Sequence, residues 1–252
     1  MEMVVFVLVG AAVGMLGAML GIGGGMVIVP ALVFLWHYEP QLAIGTSMLV
    51  VLLNAISGTL GYWREGKVCL DAAWKFALAT VPGAFLGSYA SEYLQGRMFF
   101  LVFGTFFVLA AIQMYLKAGK KQAQQQDTQV PANYNWQLGV VCSIFVGFLA
   151  SILGIGGGIV HVPMMVYVLG FPAHVAVATS TCILAVSSVA GVVSHGFLGH
   201  ISWLSGLLIG AGAFAGAQIG VRLAGRLKSQ FIMQMVAVLV FCVGTRFIAS
   251  AF

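Results

Sequence analysis

A ten-residue motif that occurs twice constrains the fold more than any other feature of this sequence. GIGGGMVIVP occupies residues 21–30, and GIGGGIVHVP occupies residues 154–163, which lie 133 positions later. The same offset, held without gaps, aligns AIGTS at residues 43–47 with AVATS at residues 176–180. It also pairs four further glycines: Gly58 with Gly191, Gly66 with Gly199, Gly83 with Gly216, and Gly87 with Gly220. A single offset that aligns so many positions indicates an internal repeat, so we predict two similar halves.

The stretches around the motif are too apolar for a protein surrounded by water. Hydrophobic residues make up 61% of the chain and charged residues only 7%, whereas a soluble domain carries about a quarter charged residues. We therefore predict an all-α polytopic protein of the inner cell membrane, with the lipid bilayer as its solvent. Only Glu2 precedes the first apolar run, which favours a retained membrane helix over a cleaved signal peptide.

Each half contains five apolar segments. They cover residues 3–20, 25–37, 40–63, 70–90 and 97–117, then 136–153, 158–170, 174–195, 203–225 and 230–251. The last three of each half are long enough to span about 30 Å of hydrocarbon at about 1.5 Å per residue. The second is too short and follows the glycine motif, which predicts a broken or re-entrant first helix. The predicted units are residues 1–117, a polar interrepeat loop at 118–135, and residues 136–252.

The charges in the loops predict how the two halves are oriented. Basic residues follow the third, fifth and ninth segments: Arg64 and Lys67; Lys117, Lys120 and Lys121; Arg222, Arg226 and Lys228. The positive-inside rule makes these loops cytoplasmic. The loop at residues 195–201 is equivalent to the first of these loops. Its only ionisable residues are histidines, so it is predicted to be external. Equivalent loops on opposite sides imply inverted-topology repeats, a common plan for secondary transporters.

The glycine motifs are the strongest candidates for a functional site. Irregular backbone at membrane depth is tolerated where it lines a cavity or packs on protein, and a helix that starts there presents N–H groups and partial positive charge to an anion. The candidate substrate-binding glycines are Gly21, Gly23, Gly24 and Gly25, with Gly154, Gly156, Gly157 and Gly158. The alternative is that these glycines only let helices pack closely.

Polar side chains follow each motif on a long apolar segment. Thr46 and Ser47 in the first half correspond to Thr179 and Ser180 in the second. Asn54 lies seven residues beyond Ser47 on the same helical face, as Ser187 lies beyond Ser180. Hydroxyl and amide groups can donate to an oxyanion without adding charge, so we predict that they contact the substrate. The alternative is that the hydroxyls bond to their own or neighbouring helices.

The histidines allow more than one interpretation. His161 lies three residues beyond the second glycine motif, where an ionisable side chain is a functional candidate by default. It could take a proton in coupling or hydrogen-bond the substrate, or it could be a neutral histidine bonded to a carbonyl. His195 and His200 lie near a predicted helix end, where placement at the membrane interface explains them.

Several function classes find little support in the residues. The carboxylates lie at segment ends or in loops, and no Walker, GxSxG or HExxH motif occurs. We therefore expect no enzyme activity, cofactor or metal; Cys182 with His161 or His195 is the sole candidate nucleophile–base pair. The net charge of +5 forms no basic face with interleaved aromatics, so no nucleic-acid partner is expected.

The paired G-x-G-G-G-x(4)-P segments, each followed by a Thr-Ser helix, resemble the TauE/SafE sulfite-exporter family. This family is also called the toluene sulfonate uptake permease family, and the resemblance covers nearly the whole chain. It implies substrates that are small sulfur-containing anions such as sulfite, thiosulfate or organosulfonates. The glycines named above and the two Thr-Ser pairs are the positions to which the family's site would map.

The predicted function is secondary transport of such an anion across the cytoplasmic membrane by alternating access of the two halves. An anion channel and a transporter of a different small organic anion are the alternatives. The direction of transport, coupling to a proton or another ion, and the oligomeric state are left open by the sequence.

Overall fold

The computed structural model describes residues 2–94, 96–119, 134–224 and 229–252. These residues form ten α-helices and no strand. The helices are α1 (Glu2–Leu20), α2 (Gly25–Leu35), α3 (Pro40–Arg64), α4 (Leu70–Ser91), α5 (Gly96–Gly119), α6 (Trp136–Leu153), α7 (Gly158–Tyr167), α8 (Ala173–Phe197), α9 (Trp203–Ala224) and α10 (Ser229–Ala249). The all-helical fold predicted from the sequence is confirmed.

The helix boundaries repeat with the offset of the sequence motif. Shifting α3 by 133 residues gives the bounds of α8, and shifting α4 gives those of α9. The short helices α2 and α7 both start at the last glycine of the motif, Gly25 and Gly158. The division at residues 118–135 stays a prediction, because residues 120–133 lie outside the described part of the chain. The loop lysines 120 and 121, together with Arg226 and Lys228, lie outside it as well.

Six described helices are long and apolar enough to cross a membrane: α1, α3, α5, α6, α8 and α9. Large apolar side chains are exposed on the outer surface of the bundle, and Leu8, Val141 and Leu204 each expose more than 60% of their area. Water would not support so much exposed apolar surface, whereas lipid does. The chain is therefore a multi-pass membrane protein. The helix α4 has the length to span but is not among the six, and it packs between α6 and α8.

Small residues let helices from different halves pack backbone to backbone. Gly10 and Gly14 of α1 face Ile209 and Ala213 of α9, so these two helices run parallel. On the other side of the molecule, Gly83 and Gly87 of α4 face Ile144 and Phe148 of α6, also in parallel. A side chain at any of these glycines would overlap the facing backbone.

Equivalent helices of the two halves pack against each other in opposite directions. Gly58 of α3 faces Thr181 of α8, and Gly191 of α8 faces Met48 of α3. The pair α5 and α10 also runs antiparallel, with Gly104 facing Ile248 and Gly244 facing Val108. Antiparallel pairing of equivalent helices is the geometry that an inverted repeat requires. The sidedness of the halves in a membrane stays a prediction.

Candidate functional site

The two breaks, residues 21–24 and 154–157, need glycine for their backbone conformation. Gly21, Gly23 and Gly24 have φ angles of 69°, 77° and 80°. In the second break, Gly154, Gly156 and Gly157 have φ angles of 64°, 78° and 77°. Residues with a Cβ pay roughly 1–2 kcal/mol to adopt this left-handed conformation, whereas glycine adopts it readily. The chain can therefore stop one helix and start another within four residues.

The two breaks touch each other in the buried interior of the bundle. A Cβ added to Gly25 would collide with the carbonyl oxygen of Gly154, and one added to Gly158 would collide with that of Gly21. A Cβ on Gly23 or on Gly156 would in each case meet Val51 and Leu184. The structure thus brings together the two sets of glycines that the sequence singled out.

Each break leaves the start of a short helix without a side-chain cap. Gly24 and Gly157 are the N-cap residues of α2 and α7, and neither helix start receives a side-chain hydrogen bond. The first N–H groups of a helix have no carbonyl in a preceding turn to bond to. They carry a partial charge equivalent to about half a positive elementary charge. Each of these two helix starts lies inside the protein, against the break of the other half.

The serines of the Thr-Ser pairs bond across the two halves. Ser47 donates to the carbonyl oxygen of Gly154 over 2.5 Å, and Ser180 donates to that of Gly21 over 3.4 Å. Each hydroxyl thus donates a hydrogen bond to a backbone carbonyl oxygen in the break of the other half. In this conformation both hydroxyls bond to backbone groups of the protein, and these bonds hold the two breaks in contact.

The threonines of the same pairs hold the starts of two other helices. The Oγ1 atom of Thr46 accepts a hydrogen bond from the backbone N–H of Ser202, which directly precedes α9, at 2.9 Å. Thr179 accepts in the same way from the N–H of Cys69, which directly precedes α4, at 3.0 Å. These bonds position α9 and α4 against α3 and α8. In the observed conformation the threonine hydroxyls contact protein groups, as the serine hydroxyls do.

Asn54 presents an unpartnered amide beside the first break. The residue exposes 1% of its area, and neither Nδ2 nor Oδ1 has a hydrogen-bond partner among the described residues. A Cβ at Gly17 would lie 3.0 Å from Nδ2 of Asn54 and 2.6 Å from the amide nitrogen of Gly24. The side chain therefore lies next to the start of α2. The hydroxyl of Ser187, at the equivalent position in α8, is likewise buried and unpartnered.

An unpartnered buried amide is costly. Leaving such a group unsatisfied costs about 1–3 kcal/mol, so its presence at a helix start calls for a functional explanation. An amide can donate through Nδ2 to the same anion that the helix start attracts.

His161 joins α7 to α6. Its Nε2 atom lies 3.0 Å from Oγ of Ser143, and that hydroxyl donates to the carbonyl oxygen of Gly139 over 2.7 Å. Because the single hydroxyl proton is used in this way, Oγ accepts and Nε2 of His161 carries the hydrogen. Its described polar contact is thus with a hydroxyl of α6, and not with a carbonyl as the alternative above supposed; a role in substrate binding or proton coupling stays a prediction.

The breaks are closed to solvent in this conformation. All eight motif glycines are buried, as are Thr46, Ser47, Thr179 and Ser180. A cavity of about 20 Å³ borders Gly24 and is lined by apolar side chains that include Val13, Leu16 and Met26. That is room for about one water molecule. A substrate can reach the helix starts only if the halves move.

Two residues that the sequence analysis did not place at the site, Tyr62 and His195, bond to the ends of the broken helices. The hydroxyl of Tyr62 donates to the carbonyl oxygen of Ala18, at the end of α1, over 2.9 Å. At the equivalent position, Nε2 of His195 lies 3.2 Å from the carbonyl oxygen of Ser151, at the end of α6. The interface placement predicted for His195 was wrong, because the packing of α8 against α4 and α6 buries its side chain completely. His195 aligns with Tyr62 at the repeat offset of 133 residues, and this alignment was the sequence signal that could have indicated their shared contact with a helix end.

Within the described residues no cluster of three or more histidines, cysteines or carboxylates is placed to hold a metal ion. The polar groups that the described structure places at the breaks are backbone N–H groups, the amide of Asn54 and serine hydroxyls.

The model of the family described as "Sulfite exporter TauE/SafE" matches residues 6–247 of the chain. The chain belongs to the TauE/SafE family. The match includes both glycine motifs, both short helices and both Thr-Ser pairs, so the site described above lies within the family's shared fold.

Relatives that are probable membrane transporters match most of the chain. The probable membrane transporter protein YunE of Bacillus subtilis is 34% identical, with 98% of each chain covered. The probable membrane transporter protein MJ0441 of Methanocaldococcus jannaschii is 26% identical over 92% of this chain and 90% of its own. A probable membrane transporter protein of Xylella fastidiosa is 28% identical over 88% and 83%. No solved structure matches. The chain is thus a membrane transporter of the TauE/SafE family.

Proposed function

We propose that this transporter carries a small sulfur-containing anion such as sulfite, thiosulfate or an organosulfonate across the cytoplasmic membrane by alternating access. The family's description names sulfite export. Oxyanions of sulfur are small and negatively charged, and their oxygens are strong hydrogen-bond acceptors. The observation that carries the proposal is a pair of uncapped helix starts, each packed against the break of the other half, with the unpartnered amide of Asn54 beside the first.

The N–H groups at the two helix starts suit an anion rather than a cation, because serine hydroxyls already donate to the nearby carbonyl oxygens of Gly154 and Gly21. Backbone N–H groups and helix N-termini attract negative charge without a buried lysine or arginine. Within the described residues, the charged side chains lie in loops and near helix ends, away from the breaks. A neutral site that binds through dipoles can release its anion more readily than one that holds it by a full opposite charge.

We assign the observed conformation, in which the breaks are buried, to a closed state of the proposed cycle. The bonds from Ser47 to Gly154 and from Ser180 to Gly21 hold the breaks together. Separation of the halves would free both hydroxyls and both sets of N–H groups to face a solute. The proposed binding residues are Gly21, Gly23, Gly24, Gly25, Thr46, Ser47, Asn54, Gly154, Gly156, Gly157, Gly158, Thr179 and Ser180. His161 belongs to this set only if its contact with Ser143 changes as α7 moves.

The test is transport into proteoliposomes by the purified protein and the variant Asn54→Leu. Leucine has the same branching as asparagine, with methyl groups in place of the amide oxygen and nitrogen, and it removes an unsatisfied polar group, so the melting temperature should stay the same or rise. Labelled thiosulfate or sulfite uptake should fall at least tenfold, because the amide no longer contacts the anion.

The matched control is Thr59→Val on the same helix. The hydroxyl of Thr59 is also buried and unpartnered, but it lies five residues further along α3 and so faces another direction. Uptake by this variant should stay within twofold of wild type. Equal uptake by Asn54→Leu and wild type would contradict the proposed site.

Counterflow distinguishes the carrier from the alternatives. A carrier accumulates labelled anion transiently when the liposomes hold excess unlabelled anion, whereas a channel gives a linear, non-saturable flux without counterflow. If other organic anions, but not sulfur anions, compete in this assay, the substrate class proposed here is wrong.

A further inference from the structure

A polar pocket lies at the end of the bundle where α3 starts and α4 ends. Its volume is about 740 Å³, and its wall includes Glu39, Glu92 and His200. The side chain of Gln41, also in the wall, bonds to the carbonyl oxygen of Leu94 and so ties the start of α3 to the end of α4. By the predicted topology this end of the bundle is external. The pocket therefore brings carboxylates and one histidine into contact with solvent at a defined face.

His200 connects this pocket to the fully buried ring of His195. The two Nδ1 atoms lie 3.4 Å apart. His195 has no exposed area, so His200 is the described titratable neighbour through which it can exchange a proton with the pocket. The acidic groups that face His200 from the packed elements are Glu39, before α3, and Glu92, at the end of α4.

The hydrogen bond of His195 to Ser151 fixes which ring nitrogen is free to titrate. A carbonyl oxygen only accepts, so Nε2 of His195 must carry the hydrogen that points at Ser151. In the neutral ring Nδ1 then has a lone pair, and this lone pair faces Nδ1 of His200. A proton can move from Nδ1 of His200 to Nδ1 of His195, while Nε2 of His200 takes a replacement proton from the pocket.

A proton on His195 would lie at the end of the broken helix α6. The carbonyl groups of the last helical turn lack intrahelical partners and carry partial negative charge, which favours a cation there. Ser151 lies three residues before Gly154, whose carbonyl oxygen accepts the bond from Ser47. The hydroxyls of Ser88 and Ser194 extend the polar cluster around this helix end. Charge on His195 therefore acts on the segment that enters the second break.

The first half has the same cap without a titratable relay. Tyr62 replaces His195 and bonds to Ala18, and its phenol stays neutral at physiological pH. Lys67 occupies the position of His200 and pairs with Glu65 at 2.6 Å. The repeat has thus kept the helix cap in both halves, and in the second half the cap is an imidazole, whose second ring nitrogen can bind a proton.

We propose that His195 is the proton-binding site of this transporter and that His200 conducts protons to it from the pocket lined by Glu39 and Glu92, so that anion transport is coupled to proton movement. This inference rests on the proposed anion transport. Burial lowers the pKa of His200, while the nearby Glu92 opposes that effect. A His200 ring that is neutral at pH 7 can both donate and accept, as a relay requires.

The test uses proteoliposomes that contain a trapped pH-sensitive dye and thiosulfate as the probe, because its own charge does not change near neutral pH. In wild type, an imposed pH gradient should change the initial uptake rate at least fivefold, and the dye should report proton movement that depends on thiosulfate. In His195→Gln, the amide keeps the bond to Ser151 but cannot take a proton. Exchange at equal pH should stay within threefold of wild type, while the gradient effect and the dye signal disappear.

Two further variants make the result decisive. His195→Tyr copies the cap of the first half and should give the same uncoupled exchange if the glutamine variant does not fold. His174→Gln makes the same change at the exposed opposite end of α8 and should remain coupled.

Full pH-gradient dependence in folded His195→Gln or His195→Tyr would overturn the inference. Wild-type uptake that ignores the gradient would also overturn it but would leave anion transport intact. Absence of any anion flux in wild type would instead contradict the proposed function.

Discussion

At the scale of single residues, the glycines of the breaks have two separate tasks. Gly21, Gly23 and Gly24 adopt left-handed backbone conformations, whereas Gly25 and Gly158 are helical and are needed because another backbone lies against them. The first task follows from local backbone sterics. The second depends on contacts between the halves, and a substitution can test it separately.

Replacement of Gly158 by alanine should destabilise the protein through packing alone. The added methyl group would overlap the carbonyl of Gly21, and overpacking of this kind costs about 1–3 kcal/mol. The melting temperature in detergent should fall by several degrees. Gly196→Ala in α8 is the matched control, because its nearest neighbours lie 3.8 Å from the added carbon and alanine favours helix by about 0.5–1 kcal/mol. An equal loss in both variants would contradict the close contact of the breaks.

At the scale of secondary-structure elements, the serine bonds between the halves should control how easily the breaks open. Ser47→Ala leaves the buried carbonyl of Gly154 without its donor, which costs about 1–3 kcal/mol in the closed state. Amide hydrogen exchange in the segments around both breaks should therefore accelerate. Ser180→Ala should have the smaller effect, because its bond is 3.4 Å long compared with 2.5 Å for Ser47. Unchanged exchange in both variants would mean that these bonds do not hold the closed state.

The elements themselves could be predicted from the sequence because lipid imposes a simple rule. Apolar runs must form helices there, and a run of glycines marks where a helix stops, so the bounds of α2, α3, α7 and α8 fall within a few residues of the predicted segments. The partners of the polar side chains were not predictable. Ser47 bonds to a residue 107 positions away, and His195 is buried because α4 and α6 pack around it. Both facts depend on how helices from the two halves are arranged.

At the scale of the whole molecule, the antiparallel pairing of α3 with α8 predicts that the turns after them lie on opposite sides of the membrane. Gly66 and Gly199 are equivalent, exposed, and have open space around their Cα atoms. In a variant without the four native cysteines, Gly199→Cys should react with a membrane-impermeant thiol reagent in intact cells. Gly66→Cys should react only after the membrane is made permeable. Reaction of both from the same side would exclude the inverted arrangement.

In the mechanism proposed above, the two breaks together form the anion site. Hydrogen–deuterium exchange of the purified protein with and without thiosulfate, at constant ionic strength set with chloride, shows whether they do. Thiosulfate should change the exchange of peptides covering residues 21–28 and 154–161 together, and Asn54→Leu should abolish both changes. Saturable thiosulfate effects confined to other segments, or to one break alone, would contradict it.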